Sequence, residues 1–222
     1  MNQISRPQKA VTQLGFWSAV LVTLMLMVFP LSLAFDGPLI IAYGSSFLLA
    51  PAFVTMMVSV HHYAAPEKKV WSQLGLAFAI IYAVMCSLTY YIQMTFIANN
   101  YLPIAEDSVA PFVFIPGTPI FAQDMLGYVF FCLATLAAGP VFTGGNLEVW
   151  IRRLFILNGL LFAVPTLILP ALTMPTNTTG TGLGNQVGDY ANMVWSSYVA
   201  VATALTAVLF KRAGTRHLGK QG

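Results

Sequence analysis

Six long apolar stretches, separated by shorter polar connections, constrain the fold of this chain more than any other feature. They lie at about residues 14–35, 39–60, 70–97, 121–142, 150–172 and 190–210. Each is long enough to cross a bilayer as a helix, which takes roughly 20 residues. The first stretch is too long for the core of a cleaved signal peptide, so we interpret it as a retained helix.

The composition leaves no room for a soluble domain. Charged residues make up 8% of the 222 residues and apolar residues 58%, whereas average soluble domains carry about 25% charge. The sequence therefore predicts an all-α integral membrane protein, with six transmembrane helices in one bundle and residues 1–222 forming a single membrane domain.

The basic residues predict the orientation. With six spans, all ten fall on one side of the membrane: Arg6, Lys9, Lys68, Lys69, Arg152, Arg153, Lys211, Arg212, Arg216 and Lys220. Positive charge accumulates on the cytoplasmic side, so we expect both termini to be cytoplasmic in a multi-pass protein of the cell inner membrane. The net charge of +3 then reflects topology, and no nucleic-acid partner is predicted.

The outer connection at residues 99–120 has an unusual composition. Pro103, Pro111, Pro116 and Pro119 exclude one continuous helix through it. Its centre, residues 109–115, is too apolar for a freely solvated loop and too short to span. We therefore expect this connection to lie over the outer helix ends.

Asp124 and Tyr128 mark the best candidate for a functional site. They are four residues apart, so they share one face of the fourth helix. A carboxylate this close to hydrocarbon is costly unless it has partners or water, which makes Asp124 the strongest indication of function in the chain.

Other polar side chains collect in the outer halves of the third and sixth helices. If these faces converge on the fourth helix, they line an outward-open polar cavity roofed by residues 99–120. The predicted ligand-binding residues are Tyr90, Gln93, Asp124, Tyr128, Asn192, Trp195 and Ser196. Polar residues in membrane helices also serve as packing contacts, and that alternative stays open. Asp36 and Asp189 are interpreted as helix caps or solvated groups.

Several other types of site receive no support from the sequence. Cys86 and Cys132 are interpreted as buried thiols, and the adjacent pair His61–His62 lacks the spacing of a helical metal site. No lysine lies inside a span, which excludes a retinal Schiff base. No metal and no cofactor are predicted.

Small residues at every fourth position predict close helix packing. Ser196, Ala200 and Ala204 form one row and Ala134 and Ala138 another. Such rows serve contacts inside a bundle or in a homo-oligomer. The other expected partners are membrane lipids and a small-molecule or lipid-like ligand.

Three functional hypotheses remain. The first is a transporter- or receptor-like protein that binds or passes a small polar or amphipathic molecule or a cation. The second is a membrane-embedded enzyme acting on a lipid or isoprenoid at the outer leaflet, with Asp124 as general acid or base. The third is an accessory or structural membrane subunit.

Overall fold

The computed structural model describes residues 6–35, 37–98, 106–172 and 183–218, and every regular element in these ranges is helical. The six long helices are α1 (Arg6–Ala34), α2 (Leu39–Tyr63), α3 (Lys69–Ile92), α4 (Pro119–Ala138), α5 (Asn146–Leu172) and α6 (Leu183–Leu218). A π-helical turn, Gln93–Ile97, extends α3.

All six helices are long and apolar enough to cross a membrane, as in a multi-pass membrane protein. The predicted helical bundle is thus confirmed. The starts of two helices differ most from the prediction, because helical hydrogen bonding of the backbone continues into the polar sequence that precedes the apolar stretch. α1 begins at Arg6 rather than near residue 14, and α6 begins at Leu183 rather than near residue 190.

The earlier start of α6 corrects one interpretation. Asp189 lies within this helix, so its backbone does not occupy the cap position expected from the sequence. Asp36 lies outside the described residues.

The helices form a closed ring in chain order. Each packs against the next, and α6 returns to pack against α1. Thr23 of α1 and Thr203 of α6 close the ring with a hydroxyl–hydroxyl hydrogen bond of 2.8 Å. Short connections make neighbours antiparallel at α2–α3 and α4–α5.

The helix ends that carry the basic residues meet at one end of the ring, which we call the basic end. There the Tyr63 hydroxyl of α2 donates to Glu148 of α5 at 2.9 Å. The Lys69 ammonium donates to the His61 carbonyl. The start of α1 meets the end of α6 where Gly15 packs on the Phe210 ring. The opposite end, where the 106–118 segment joins α4, is the far end.

The middle of the ring is filled by an aromatic core of Phe53, Tyr82, Phe131 and Trp195. Phe53 and Phe131 stack with their centroids 4.0 Å apart. Tyr82 meets both rings edge-on, at 5.6 and 5.0 Å, and Trp195 lies 5.4 Å from Phe131. These rings separate the polar residues near the far end from the basic end.

The small-residue rows serve contacts inside the bundle. Ala134 and Ala138 are fully buried, and a Cβ added at Gly75 of α3 would lie 2.9 Å from the Ala134 carbonyl oxygen. Ser196 and Ala200 are 2% and 5% exposed. The close approach of α3 to α4 therefore depends on Gly75 having no side chain.

We expect Gly75→Ala to lower the free energy of unfolding by about 1–3 kcal/mol, because the new methyl group forces α3 away from the α4 backbone. Gly44→Ala is the matched control: it also lies in a helix, but its nearest neighbour would be the Met94 sulfur at 4.0 Å. Unfolding in mixed micelles measures both variants. Equal stability of the two would contradict the close α3–α4 packing.

Candidate functional site

The structure brings Tyr90, Asp124 and Tyr128 together between α3 and α4. The Tyr90 hydroxyl donates to Asp124 Oδ2 at 2.9 Å and lies 3.4 Å from the Tyr128 hydroxyl. Asp124 is 0% exposed and Tyr90 1%. The side chain of Thr118 caps α4, and Pro119 occupies its first turn, so Asp124 lies in the second turn and points into the ring.

Two residues that the sequence analysis did not include complete the site. Tyr82, Cys86 and Tyr90 are spaced four residues apart on α3, and all three are buried. The Cys86 thiol lies beside the Asp124 carboxyl. The thiol fits because residue 127 is a glycine; a Cβ atom at that position would lie 2.8 Å from the sulfur. We call Tyr82, Cys86, Tyr90, Asp124 and Tyr128 the carboxylate cluster.

The cluster contains buried polar atoms without partners. Three buried side-chain oxygens in the described part of the chain make no hydrogen bond, and two of them belong here: Asp124 Oδ1 and the Tyr82 hydroxyl. A buried unsatisfied polar atom costs about 1–3 kcal/mol. Because buried polar atoms are nearly always hydrogen-bonded, these two unpartnered oxygens make the cluster the strongest candidate for a functional site.

No positive side chain is placed to compensate Asp124. Residues 10–60, 70–151 and 154–210 contain no lysine, arginine or histidine, and these ranges include all of α4 and nearly all of α3. The basic side chains belong to the other end of the ring. The carboxyl group therefore has no intramolecular counter-charge within hydrogen-bonding reach.

Residues 106–118, which we call the cover segment, close the far end of the site. Gln93 holds this segment through two hydrogen bonds: its Nε2 donates to the Phe112 carbonyl at 2.6 Å, and the Phe114 N–H donates to its Oε1 at 3.2 Å. The Phe114 ring lies 5.8 Å from Tyr90 and 6.2 Å from Tyr43. The described part of the connection, residues 106–118, therefore packs against the end of α3 through Gln93 and against Tyr43 of α2.

A tight turn joins the cover segment to α4. Gly117 has φ 93°, in the left-handed region that favours glycine. The Thr118 N–H donates to the Ile115 carbonyl at 3.2 Å, and the Thr118 hydroxyl donates to Val113 O at 2.9 Å. The segment therefore leaves α4 in a defined direction, back over the cluster.

The outward-open cavity expected from the sequence is absent around the carboxyl in this conformation. Because Asp124 has no accessible surface, no space as large as a water molecule adjoins it. Phe114 and Tyr43 fill the volume that the sequence analysis assigned to a cavity. That prediction is wrong for this state, since the cover segment inserts a ring instead of only roofing the site.

The three predicted residues of α6 divide into two groups. Trp195 meets Tyr128 edge-to-face at 5.2 Å, and its Nε1 donates to Asn158 Oδ1 at 3.0 Å. It therefore joins the cluster through its ring. Ser196 donates to Asn192 Oδ1 at 2.8 Å, so within the described residues the hydrogen bond of this pair lies along α6 and not to Asp124.

Asn158 forms a second polar contact deeper in the ring. Its Nδ2 donates to the Thr135 hydroxyl at 2.8 Å, while its oxygen accepts from Trp195. This amide has partners at both ends and therefore behaves as a packing contact. The sequence alone does not identify this contact, because its partners are on other helices.

The histidine pair has a local structural role. His61 Nδ1 is 2.9 Å from the Ser72 hydroxyl of α3, and His62 Nδ1 is 2.9 Å from the Val58 carbonyl. Within the described ranges, no three histidine, cysteine or acidic side chains are grouped to hold a metal ion. The pair stabilises the α2–α3 turn at the basic end.

Comparison of the chain with protein families, with characterised proteins and with solved structures finds no match. The functional argument therefore depends on the chemistry of the carboxylate cluster and its cover.

We expect Tyr90→Phe to destabilise the fold by about 1–3 kcal/mol, because it leaves both oxygens of a buried carboxyl without a partner. Asp124→Leu should restore most of this loss in the double variant, since the polar group is then gone. A double-mutant cycle of unfolding free energies in mixed micelles measures this coupling. Strictly additive effects would show that the Tyr90–Asp124 hydrogen bond is not formed.

Proposed function

We propose that this chain is a transporter- or receptor-like membrane protein that admits a small polar or amphipathic molecule, or a cation, to the carboxylate cluster. The observation that carries the proposal is Asp124 Oδ1, a fully buried carboxyl oxygen with no partner in the described part of the chain. An ionisable residue inside membrane helices is by default a candidate for a ligand, ion or proton site.

The cover segment acts as a gate in this proposal. Gln93 supplies two side-chain hydrogen bonds to it, from the buried end of α3. Each is worth about 0.5–1.5 kcal/mol net, so releasing both lies within the few kcal/mol that separate populated conformations of a protein. The conformation described above is then the closed one.

Access to the cluster runs from the far end. The Phe53–Phe131 stack lies between the cluster and the basic end, whereas in the described part of the chain the cover segment and Tyr43 lie between the cluster and the far end. Binding from one side therefore requires a single rearrangement. Passage through the protein requires a second one, in which the stacked rings part.

The basic end faces the cytoplasm in this proposal, and the far end faces the outside of the cell inner membrane. The support is that the described lysine and arginine side chains cluster at one end, since positive loops are retained in the cytoplasm. The cluster then takes its ligand from the external side.

Single cysteines at the two ends of the ring test this orientation. Ser108 and Gly145 are both exposed, and they lie in the cover segment and in the α4–α5 connection respectively. We expect a membrane-impermeant maleimide to label Ser108→Cys in intact cells and Gly145→Cys only after lysis. The parent chain, whose two cysteines are buried, controls for background. The reverse pattern would place the cluster on the cytoplasmic side.

Cys86 reports whether a small molecule reaches the cluster. In a Cys132→Ala background, we expect methyl methanethiosulfonate to modify Cys86 slowly, and roughly tenfold faster in Gln93→Leu, because about 1.4 kcal/mol of cover stabilisation is lost. Intact mass measured over time gives the rates. Gln123→Leu is the matched control, since Gln123 donates to Met85 and Thr89 of α3 and not to the cover.

Two results would contradict the proposal. If Cys86 stayed unmodified in every folded variant, the cluster would be permanently closed, and an accessory or structural role would explain the chain better. If Gln123→Leu accelerated the reaction as much as Gln93→Leu, general loosening of the bundle would account for access, and the cover segment would not be a gate.

A further inference from the structure

We propose that the ligand of the carboxylate cluster is a small organic cation, with an amine or quaternary ammonium group held between Asp124 and the surrounding aromatic rings. This inference rests on the proposed function and names the ligand class of that same site. Three features of the structure carry it: the missing counter-charge, the aromatic surroundings and the position of Phe114.

The charge balance favours a positive ligand. Residues 10–60, 70–151 and 154–210 contain no basic side chain, so the buried Asp124 carboxyl is neutralised either by its own proton or by a cation from outside the chain. An anion would be repelled by the ionised carboxylate in a low-dielectric interior. A cation can take the place of the proton, whereas a neutral ligand leaves the carboxyl protonated.

The aromatic surroundings favour an organic cation. Between ring centroids, Tyr43 lies 5.9 Å from Tyr90, Tyr82 lies 5.6 Å from Tyr128, and Trp195 lies 5.2 Å from Tyr128. The faces of such rings attract cations within about 6 Å, and groups of aromatic rings recognise quaternary ammonium ligands. The Asp124 carboxylate, which accepts from the Tyr90 hydroxyl, adds a full negative charge to that attraction.

A metal cation fits the cluster less well. Calcium takes six to eight oxygen ligands, and magnesium requires near-octahedral oxygen coordination. The carboxylate cluster contains one carboxyl group, that of Asp124, and the other side-chain oxygen atoms of the cluster are tyrosine hydroxyls. In the described part of the chain, no group of three metal-binding side chains forms. A ligand with a diffuse charge and an apolar surface matches this lining better.

Phe114 occupies the place that we assign to the ligand. Its ring meets Tyr43 at 77° and lies against Tyr90 and Phe121. In edge-to-face pairs the positive rim of one ring lies on the negative face of the other. An ammonium group makes the same contact with a full charge, so it replaces Phe114 when the cover segment opens. Closed cover and bound cation are then alternative states of the same rings.

Protection of Cys86 tests the ligand class in the full-length chain carrying Cys132→Ala and Gln93→Leu, reconstituted in lipid nanodiscs. Methyl methanethiosulfonate is the neutral modifying reagent. Methylammonium, tetramethylammonium and choline are the cationic probes. The neutral probe is 3,3-dimethylbutan-1-ol, which has the shape of choline with carbon in place of the charged nitrogen. All four are used at equal millimolar concentration.

We expect at least one of the three cations to slow Cys86 modification about tenfold, because a cation–π contact and an ion pair with Asp124 together have about this strength. The neutral alcohol should have little effect. Asp124→Asn should remove the protection, while Asp124→Glu should retain part of it because the negative charge is kept. The near-ultraviolet circular dichroism of Trp195 and its neighbours shows whether each variant is folded.

The possible failures separate the two proposals. If Cys86 reacts but the alcohol protects as well as choline, or none of the cations protects, the cationic ligand is wrong and the gated site remains. Protection that survives in folded Asp124→Asn also overturns the cationic ligand. If Cys86 does not react at all, the proposed function fails, and the ligand class fails with it.

Discussion

Polar groups in this protein have to find their partners inside the ring, because hydrocarbon offers none. Most do so locally: the Ser18 and Thr206 hydroxyls, for example, donate to carbonyls one turn earlier in their own helices. Asn158 is satisfied on two sides by other helices. Against this background, the unpartnered oxygens of Asp124 and Tyr82 are exceptions. The same constraint that produces the helices therefore also identifies the site.

The sequence predicts the parts of the structure that depend on local pattern. Six apolar stretches predict six helices, and the four-residue spacing of Asp124 and Tyr128 places both on one face. The sequence does not assign Tyr82 or Cys86 to the site, because a tyrosine and a thiol in an apolar stretch resemble core residues. The packing of α3 against α4 brings both into the carboxylate cluster. Phe114 could not be predicted either, since it reaches the cluster from a connection whose path is set by long-range packing.

The interior of the ring is layered along its axis. The cover segment and the residues around Asp124 lie at the far end, and Tyr63 and Glu148 meet at the basic end. The aromatic core of Phe53, Tyr82, Phe131 and Trp195 lies in the middle, and Tyr82 belongs both to this core and to the carboxylate cluster. Buried polar groups usually lower stability relative to apolar ones of the same size. The tightly stacked middle layer offsets that cost, and it confines the polar site to one half of the bundle.

The order of the helices around the ring has a consequence for biosynthesis. Five of the six interfaces join consecutive helices, so they can form one after another as the chain is inserted into the membrane. The sixth, between α1 and α6, joins the two ends of the chain through contacts such as Thr23–Thr203. Until the α1–α6 interface forms, the helices make an incomplete ring whose polar interior faces lipid. Packing of α6 on α1 is therefore the step that closes the ring.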